Sequence, residues 1–365
     1  MKLGGERHLR MAGGGSAYGD MYLRYVSPVL AALSLLLMST PAATGGMPEG
    51  RGLVLTLRGH VPRVHVPYTR ALRASSPTPS GVDAIPQTVA DDLGHPFPLP
   101  AETPRKIVSM APNITEILFA LGLGGRVVGA TRFCDWPDEA KAVPRIGGLV
   151  DPNVEVIRSL DPDLVIAFRG NPLRLVERLR KLDLAVFVLD IGRRLDDLFP
   201  LIERIGRITR TEDRAAGLAG TLHRRLRAAD EALRDLPSRP SVFVLLYGQG
   251  LWTCGGESYV DDLIARAGGL NVAAAMPKKW VLYKREAIIA NDPDVIFILA
   301  RSTADFAAGR DRLLKMPGLS SVKAVKAGRI FEIDENAASR FGPRLVEVLV
   351  RMAALVHPER FGGAE

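Results

Sequence analysis

Glu155-Val156-Ile157-Arg158-Ser159-Leu160-Asp161-Pro162-Asp163-Leu164-Val165-Ile166 is answered 131 residues later by Glu286-Ala287-Ile288-Ile289-Ala290-Asn291-Asp292-Pro293-Asp294-Val295-Ile296-Phe297. In both stretches a short helical segment carrying the Glu runs into Asp-Pro. Proline lacks an N–H and has a fixed φ, so it stops a helix there. An apolar run short enough for a buried strand follows. Each copy therefore reads as the same corner of an α/β lobe. The repeat predicts an α/β fold of two similar lobes with a ligand cleft between them, where small-molecule sites preferentially lie. It also puts an exposed Glu, Glu155 and Glu286, at matching places on the two halves.

Working outward, the N-terminal lobe is expected over 105–192. It should hold strands at 106–110, 127–131, 164–168 and 185–190 and helices at 114–121 and 173–181, the βαβ rhythm of a parallel sheet. Asn113 reads as a helix cap with Glu116 three residues on, and Gly122 closes that helix. The stretch 193–237 offers no strand candidate. With leucines at 218, 222, 226, 233 and 236 and an Arg-rich opposite face, it predicts one long, stiff connecting helix ended by Pro237 and Pro240. The rhythm then resumes in a C-terminal lobe over 238–365, with strands at 241–247, 295–299 and 329–333 and helices at 259–267, 310–314 and 343–357.

The N-terminal end reads differently. Arg24, the apolar run Val26 to Met38 and the small residues Ser39 to Thr44 form the pattern of a signal peptide over 1–45, with Met21 a candidate true start. The run is too short for the roughly 20 residues of a membrane span. No Cys follows it, so a lipid anchor is not expected, and the mature protein is predicted to be periplasmic. Residues 46–104 hold ten of the chain's 26 prolines and read as a linker or disordered arm.

The net charge of +8 is spread over helical faces among acidic residues, which argues against nucleic-acid binding. The two cysteines, Cys134 and Cys254, belong to no Cys-x-x-Cys, and an oxidising compartment leaves their pairing open. Bare metal ions are disfavoured. Of the six histidines, four precede residue 105, and His223 and His357 fall on the connecting and closing helices. No Gly-x-Ser-x-Gly elbow or phosphate loop is present, and Gly122-Leu123-Gly124 follows a helix instead of a strand, so an extracytoplasmic enzyme finds little support. An adhesive surface protein would not explain the paired glutamates.

Ile107-Val108-Ser109-Met110-Ala111-Pro112-Asn113-Ile114-Thr115-Glu116, then Val128 to Pro137, then Asn153-Val154-Glu155 to Asp163, resembles the helical-backbone periplasmic binding proteins. These deliver cobalamin, ferric siderophores or haem to ABC importers. The likeness covers about residues 105–358 and is greatest to the vitamin B12-binding members. It implies no enzymatic activity and no cofactor apart from a metal carried inside the ligand. The implied partners are a small-molecule chelate, with cobalamin expected, and a permease dimer met by a monomeric binding protein. Glu155 and Glu286 would each dock onto permease arginines, a pairing suited to bidentate recognition. Phe133, Trp136, Phe168, Tyr247, Trp252 and Trp280 would offer aromatic walls to a flat macrocycle. Leu149, Arg169, Asn336 and Arg340 fall at further contact positions. Leu149 replaces an aromatic of those members, Asn336 stands near where they carry an acidic residue, and Arg340-Phe341-Gly342-Pro343-Arg344 is similar to the siderophore and haem branches.

Overall fold

The computed structural model describes residues 88–362, so the expected signal peptide and most of the expected arm lie outside the described residues. The N-terminal sheet is fully parallel, in the order β4-β3-β5-β6, from β3 (Ile107–Ser109), β4 (Val127–Ala130), β5 (Leu164–Phe168) and β6 (Val186–Leu189). In the C-terminal lobe, β7 (Ser241–Leu246), β9 (Leu270–Asn271), β11 (Val295–Ala300) and β12 (Ile330–Asp334) repeat that order as β9-β7-β11-β12, also parallel. An antiparallel ribbon of β8 (Trp252–Cys254) and β10 (Trp280–Leu282) extends this second sheet. Each lobe has its own core. Val108, Ile157, Val165 and Val188 belong to one, and Phe243, Ile288, Ile296 and Ile298 to the other.

The repeated corner has the same atomic construction in both copies. Asp161 and Asp292 take left-handed φ values of 48° and 42° and end α2 (Val154–Ser159) and α7 (Arg285–Asn291). Asp tolerates that region better than most residues. The second aspartate of each copy then staples two strands together. Asp163 Oδ2 accepts the Arg105 and Lys106 N–H groups at 2.7 and 2.9 Å, and its own N–H donates to the Lys106 carbonyl. Asp294 Oδ2 accepts from the Ser241 N–H and hydroxyl, both at 2.8 Å, and its N–H donates to the Ser241 carbonyl. The Asp-Pro-Asp signature is thus a joint that fixes β5 on β3 and β11 on β7.

Three expectations are corrected. The connector is not one helix. After a turn at Leu195–Asp197, α4 (Leu198–Ile208) packs on α1 (Pro112–Ala120) of the N-terminal lobe, and α5 (Glu212–Ala232) packs on α11 (Leu345–Val356) of the C-terminal lobe. The break is at Thr209-Arg210-Thr211. There the Thr209 hydroxyl reaches back to the Ile205 carbonyl at 2.7 Å, pairs with the Thr211 hydroxyl at 2.8 Å, and Arg210 turns to φ 54°. Threonine side chains compete with helical backbone bonds in this way, and no Pro or Gly stands at the break itself.

Part of the expected arm is ordered as well. β1 (Thr88–Ala90) and β2 (Pro96–Pro98) form an antiparallel hairpin. Its Asp91 pairs with Arg180, and both Asp92 carboxylate oxygens accept from Arg204 Nη1 at 2.7 Å. The hairpin also lies against β6, through Asp92 N–H to the Val188 carbonyl and Val188 N–H to Asp91. Finally, Asn113 is not the cap of α1. Ala111 is, because Pro112 is preorganised for the first helical position and moves the start back. Gly122 does end that helix in the left-handed region, at φ 70°.

Candidate functional site

In open parallel sheets, ligands sit outside the carboxyl ends of the strands. Here those ends lead into the segments singled out from the sequence. β4 runs into the loop 131–153, β5 into Phe168-Arg169-Gly170, β7 into Tyr247, and β12 into α10 (Glu335–Ser339) and Arg340. Asn171 braces the N-terminal rim. Its Nδ2 donates to the carbonyls of Met110 and Leu149 at 3.2 and 2.8 Å, and its Oδ1 accepts the Phe168 N–H at 2.8 Å. Nothing in the local sequence marks Asn171 as the tie between two loops.

Trp136 is the most open of the expected aromatics, 45% exposed. Phe133, Phe168, Trp252 and Trp280 are half-buried. Phe133 lies 5.5 Å from the Arg132 guanidinium, which pairs with Asp151. Phe168 folds over Gly170, where a Cβ would come within 2.0 Å of its ring. Arg169 is exposed and pairs with Asp190 at 3.1 Å. Further exposed apolar side chains on these rims, Val150 and Leu173 in one lobe and Met276 and Leu282 in the other, were not anticipated.

Three expected contacts are placed differently. Leu149 is 2% exposed and belongs to the core, since its neighbour Val150 takes the outward position. Tyr247 packs against the C-terminal core and against Gly309 of α8 (Thr303–Leu314). Arg340 is buried and faces the other lobe, where its Nη1 donates to Asp135 and Glu116, while Nη2 donates to Asn336 Oδ1 at 2.9 Å.

That arginine belongs to an ionic network between the lobes. Glu116, three residues after Asn113, does not close a capping box. It accepts Arg344 Nη2 at 2.6 Å and Nε at 3.1 Å. Burial pushes the Glu116 carboxyl up, against the pull of Arg344 and Arg340. Burial also acts upward on Asp135, but Arg340, helped by Arg344, wins there and holds it below the usual carboxylate range.

Glu155 and Glu286 occupy equivalent first-turn positions of α2 and α7 and are exposed. Asn153 caps α2 by accepting from the Glu155 and Val156 N–H groups. Each carboxylate has one arginine neighbour, Arg178 at 3.1 Å for Glu155 and Arg285 at 2.6 Å for Glu286. The free N–H of its own helix turn, with Arg285, holds Glu286 below the usual range, so it stays ionised.

Both cysteines are free and buried. Burial, with Asp261 nearby, pushes Cys254 up to about 12, and burial raises Cys134 as well. The thiolate is the reactive form. The native protein is therefore expected to show no reaction with a disulfide reagent at neutral pH, and two thiols per chain in denaturant. Fast labelling of the native form would contradict the placement. Among the described residues no group of three or more His, Cys, Asp or Glu is arranged to hold a metal ion, and no helix is long and apolar enough to cross a membrane.

Residues 107–337 match the periplasmic binding protein family. The chain belongs to this family. Its relatives include the uncharacterized ABC transporter substrate-binding lipoprotein YvrC of Bacillus subtilis (strain 168), 30% identical over 285 residues, covering 76% of this chain and 88% of that one. The vitamin B12-binding protein of Yersinia pestis (strain Pestoides F) is 28% identical over 222 residues, 60% of this chain and 78% of its own length. Among solved structures, the apo periplasmic heme-binding protein RhuT from Roseiflexus sp. RS-1 superposes with a TM-score of 0.64 at 30% identity, over 70% of this chain and 99% of that one. The periplasmic binding protein family supplies substrate-binding components of transporters, and the two-lobed α/β fold with a broken connector is this chain's version of it.

Proposed function

We propose that this protein is the extracytoplasmic solute-binding component of an ABC importer, that it captures cobalamin or a related corrinoid, and that it hands the ligand to a permease dimer. The observation that carries the ligand choice is where the side chains lie. The loops at the strand ends carry apolar and aromatic surface, with Trp136 the most exposed ring, while the described histidines and both thiols are held elsewhere, leaving the Met276 thioether on a rim. His223 stacks on Phe199 with ring centroids 3.6 Å apart, His357 contacts the Gly268 carbonyl, and His95 lies in the hairpin turn. Both thiols are buried, and Tyr247 is half-buried with its side chain packed on the C-terminal core. Haem bound by a protein takes an axial ligand from His, Tyr, Cys or Met. Cobalamin brings a nitrogen base for its cobalt in its own nucleotide tail and asks the protein mainly for flat apolar walls.

Glu155 and Glu286 are the docking groups in this reading. Two carboxylates at equivalent places on two lobes set both register and orientation on a partner carrying arginines. The protein acts as a monomer in the periplasm, reached by a cleaved signal peptide and without a lipid anchor.

Haem is the second reading, favoured by the likeness to the Roseiflexus protein. One titration separates the two. The purified mature protein is exposed separately to cyanocobalamin, haemin and a ferric siderophore, and binding is followed by tryptophan quenching and calorimetry. Cyanocobalamin is expected to bind most tightly. Tighter binding of haemin would move the assignment to the haem branch, and silence with all three would remove the ligand reading.

A further inference from the structure

The loop that carries Trp136 is held from across the lobe boundary. Glu116 sits on α1 of the N-terminal lobe and is only 4% exposed, while Arg340 and Arg344 come from the segment before α11 of the C-terminal lobe. Glu116 grips one edge of the Arg344 guanidinium through Nε and Nη2. The remaining nitrogen, Nη1, donates to Asp334 Oδ2 at 3.2 Å. The face of the same guanidinium lies 4.5 Å from the centroid of the Trp136 ring. Between the two arginines, a Cβ at Gly342 would come 3.1 Å from Glu116 Oε2, so the backbone itself closes down on the carboxylate.

A planar cation whose edges are fixed by two carboxylates has a fixed plane, and an indole stacked on that plane inherits its orientation. The ring that results is ordered yet still open to solvent on its rim. The partners span 228 positions of sequence, so the same contact also ties one lobe to the other.

We propose that Glu116 is a positioning residue for ligand recognition: from the N-terminal lobe it clamps Arg344 of the C-terminal lobe, seats the Trp136 ring, and sets the spacing of the two cleft walls. The proposal rests on the reading of Trp136 as a ligand-contacting residue. Glu116 itself is buried and touches the ligand only through others.

The test uses the mature protein in two forms. In the first, Trp252→Phe and Trp280→Phe leave Trp136 as the sole indole of a chain that has three. In that background Glu116→Gln and Arg344→Lys are expected to raise the acrylamide quenching constant of Trp136 by about twofold or more, as the ring loses its stacking partner. In the second, with all three tryptophans present, the same substitutions are expected to weaken cyanocobalamin binding about tenfold, a size usual for residues coupled in one network. If Glu116→Gln does not fold, the pair Glu116→Gln with Arg344→Met removes both charges of the contact and is expected to fold. It should still show the freed indole and the weaker binding.

A folded variant with unchanged quenching would overturn the proposal, and so would a freed indole with unchanged affinity. Should the unaltered protein bind none of the three chelates, the ligand reading fails. The quenching comparison needs no ligand and still decides whether Glu116 seats the ring.

Discussion

Glu116→Ala is expected to lower the unfolding free energy by about 3 kcal/mol, the low end of the range for breaking a buried ion pair from one side. The reason is what the substitution leaves behind. Arg340 and Arg344 are both buried, and without Glu116 their charges face a lobe boundary with less to balance them. The loss stays at the low end because Asp135 still serves Arg340 and Asp334 still serves Arg344. Equilibrium urea unfolding measures it as a lower midpoint at an unchanged slope. Glu155→Ala makes the control. Its pair with Arg178 is exposed on both sides, and such pairs contribute about 0–1 kcal/mol. Equal midpoints for the two variants would mean that the interlobe network does not hold the molecule together.

The second large effect concerns delivery. Glu155→Arg combined with Glu286→Arg is expected to abolish productive association with the permease, seen as a drop of more than about tenfold in pull-down or in ligand-stimulated ATP hydrolysis, because each site then sets like charge against like. Ligand binding by the free protein should be unchanged, since both glutamates are exposed first-turn residues and each has only a surface arginine as neighbour. A double variant that still couples to the permease would refute the docking role. One that loses ligand as well would point to a folding defect, which the urea midpoint detects.

Much of the architecture was readable from residues 155–166 and 286–297, because Asp-Pro-Asp encodes a local event. An aspartate turns the chain, a proline stops a helix, and a second aspartate binds the neighbouring strand at its entry. β5 and α3 (Leu173–Lys181) fall where the apolar pattern puts them. What was missed depends on partners far away in sequence. The connector reads as continuous because Thr209 and Thr211 break it by side-chain bonds that only the folded turn reveals. The β8–β10 ribbon escaped because each strand is three residues long and paired across 25 others.

The site shows the same division. Exposed aromatics such as Trp136 could be nominated by type alone, while Leu149 and Val150 differ only in which side of a loop they face. Arg340 and Arg344 stood out as a motif, but their role needed Glu116, more than 220 residues earlier. In the sequence that glutamate also fits a local capping pattern, three residues after Asn113.

The hairpin at the start of the described chain has a wider consequence. β6 is the outermost strand of its sheet, and Asp91 and Asp92 occupy the hydrogen-bonding groups it would otherwise show to passing chains. Bare strand edges invite intermolecular pairing. The hairpin just ahead of the residues that match the family thus acts as a selvedge, closing that edge of the sheet against pairing with another copy of the chain.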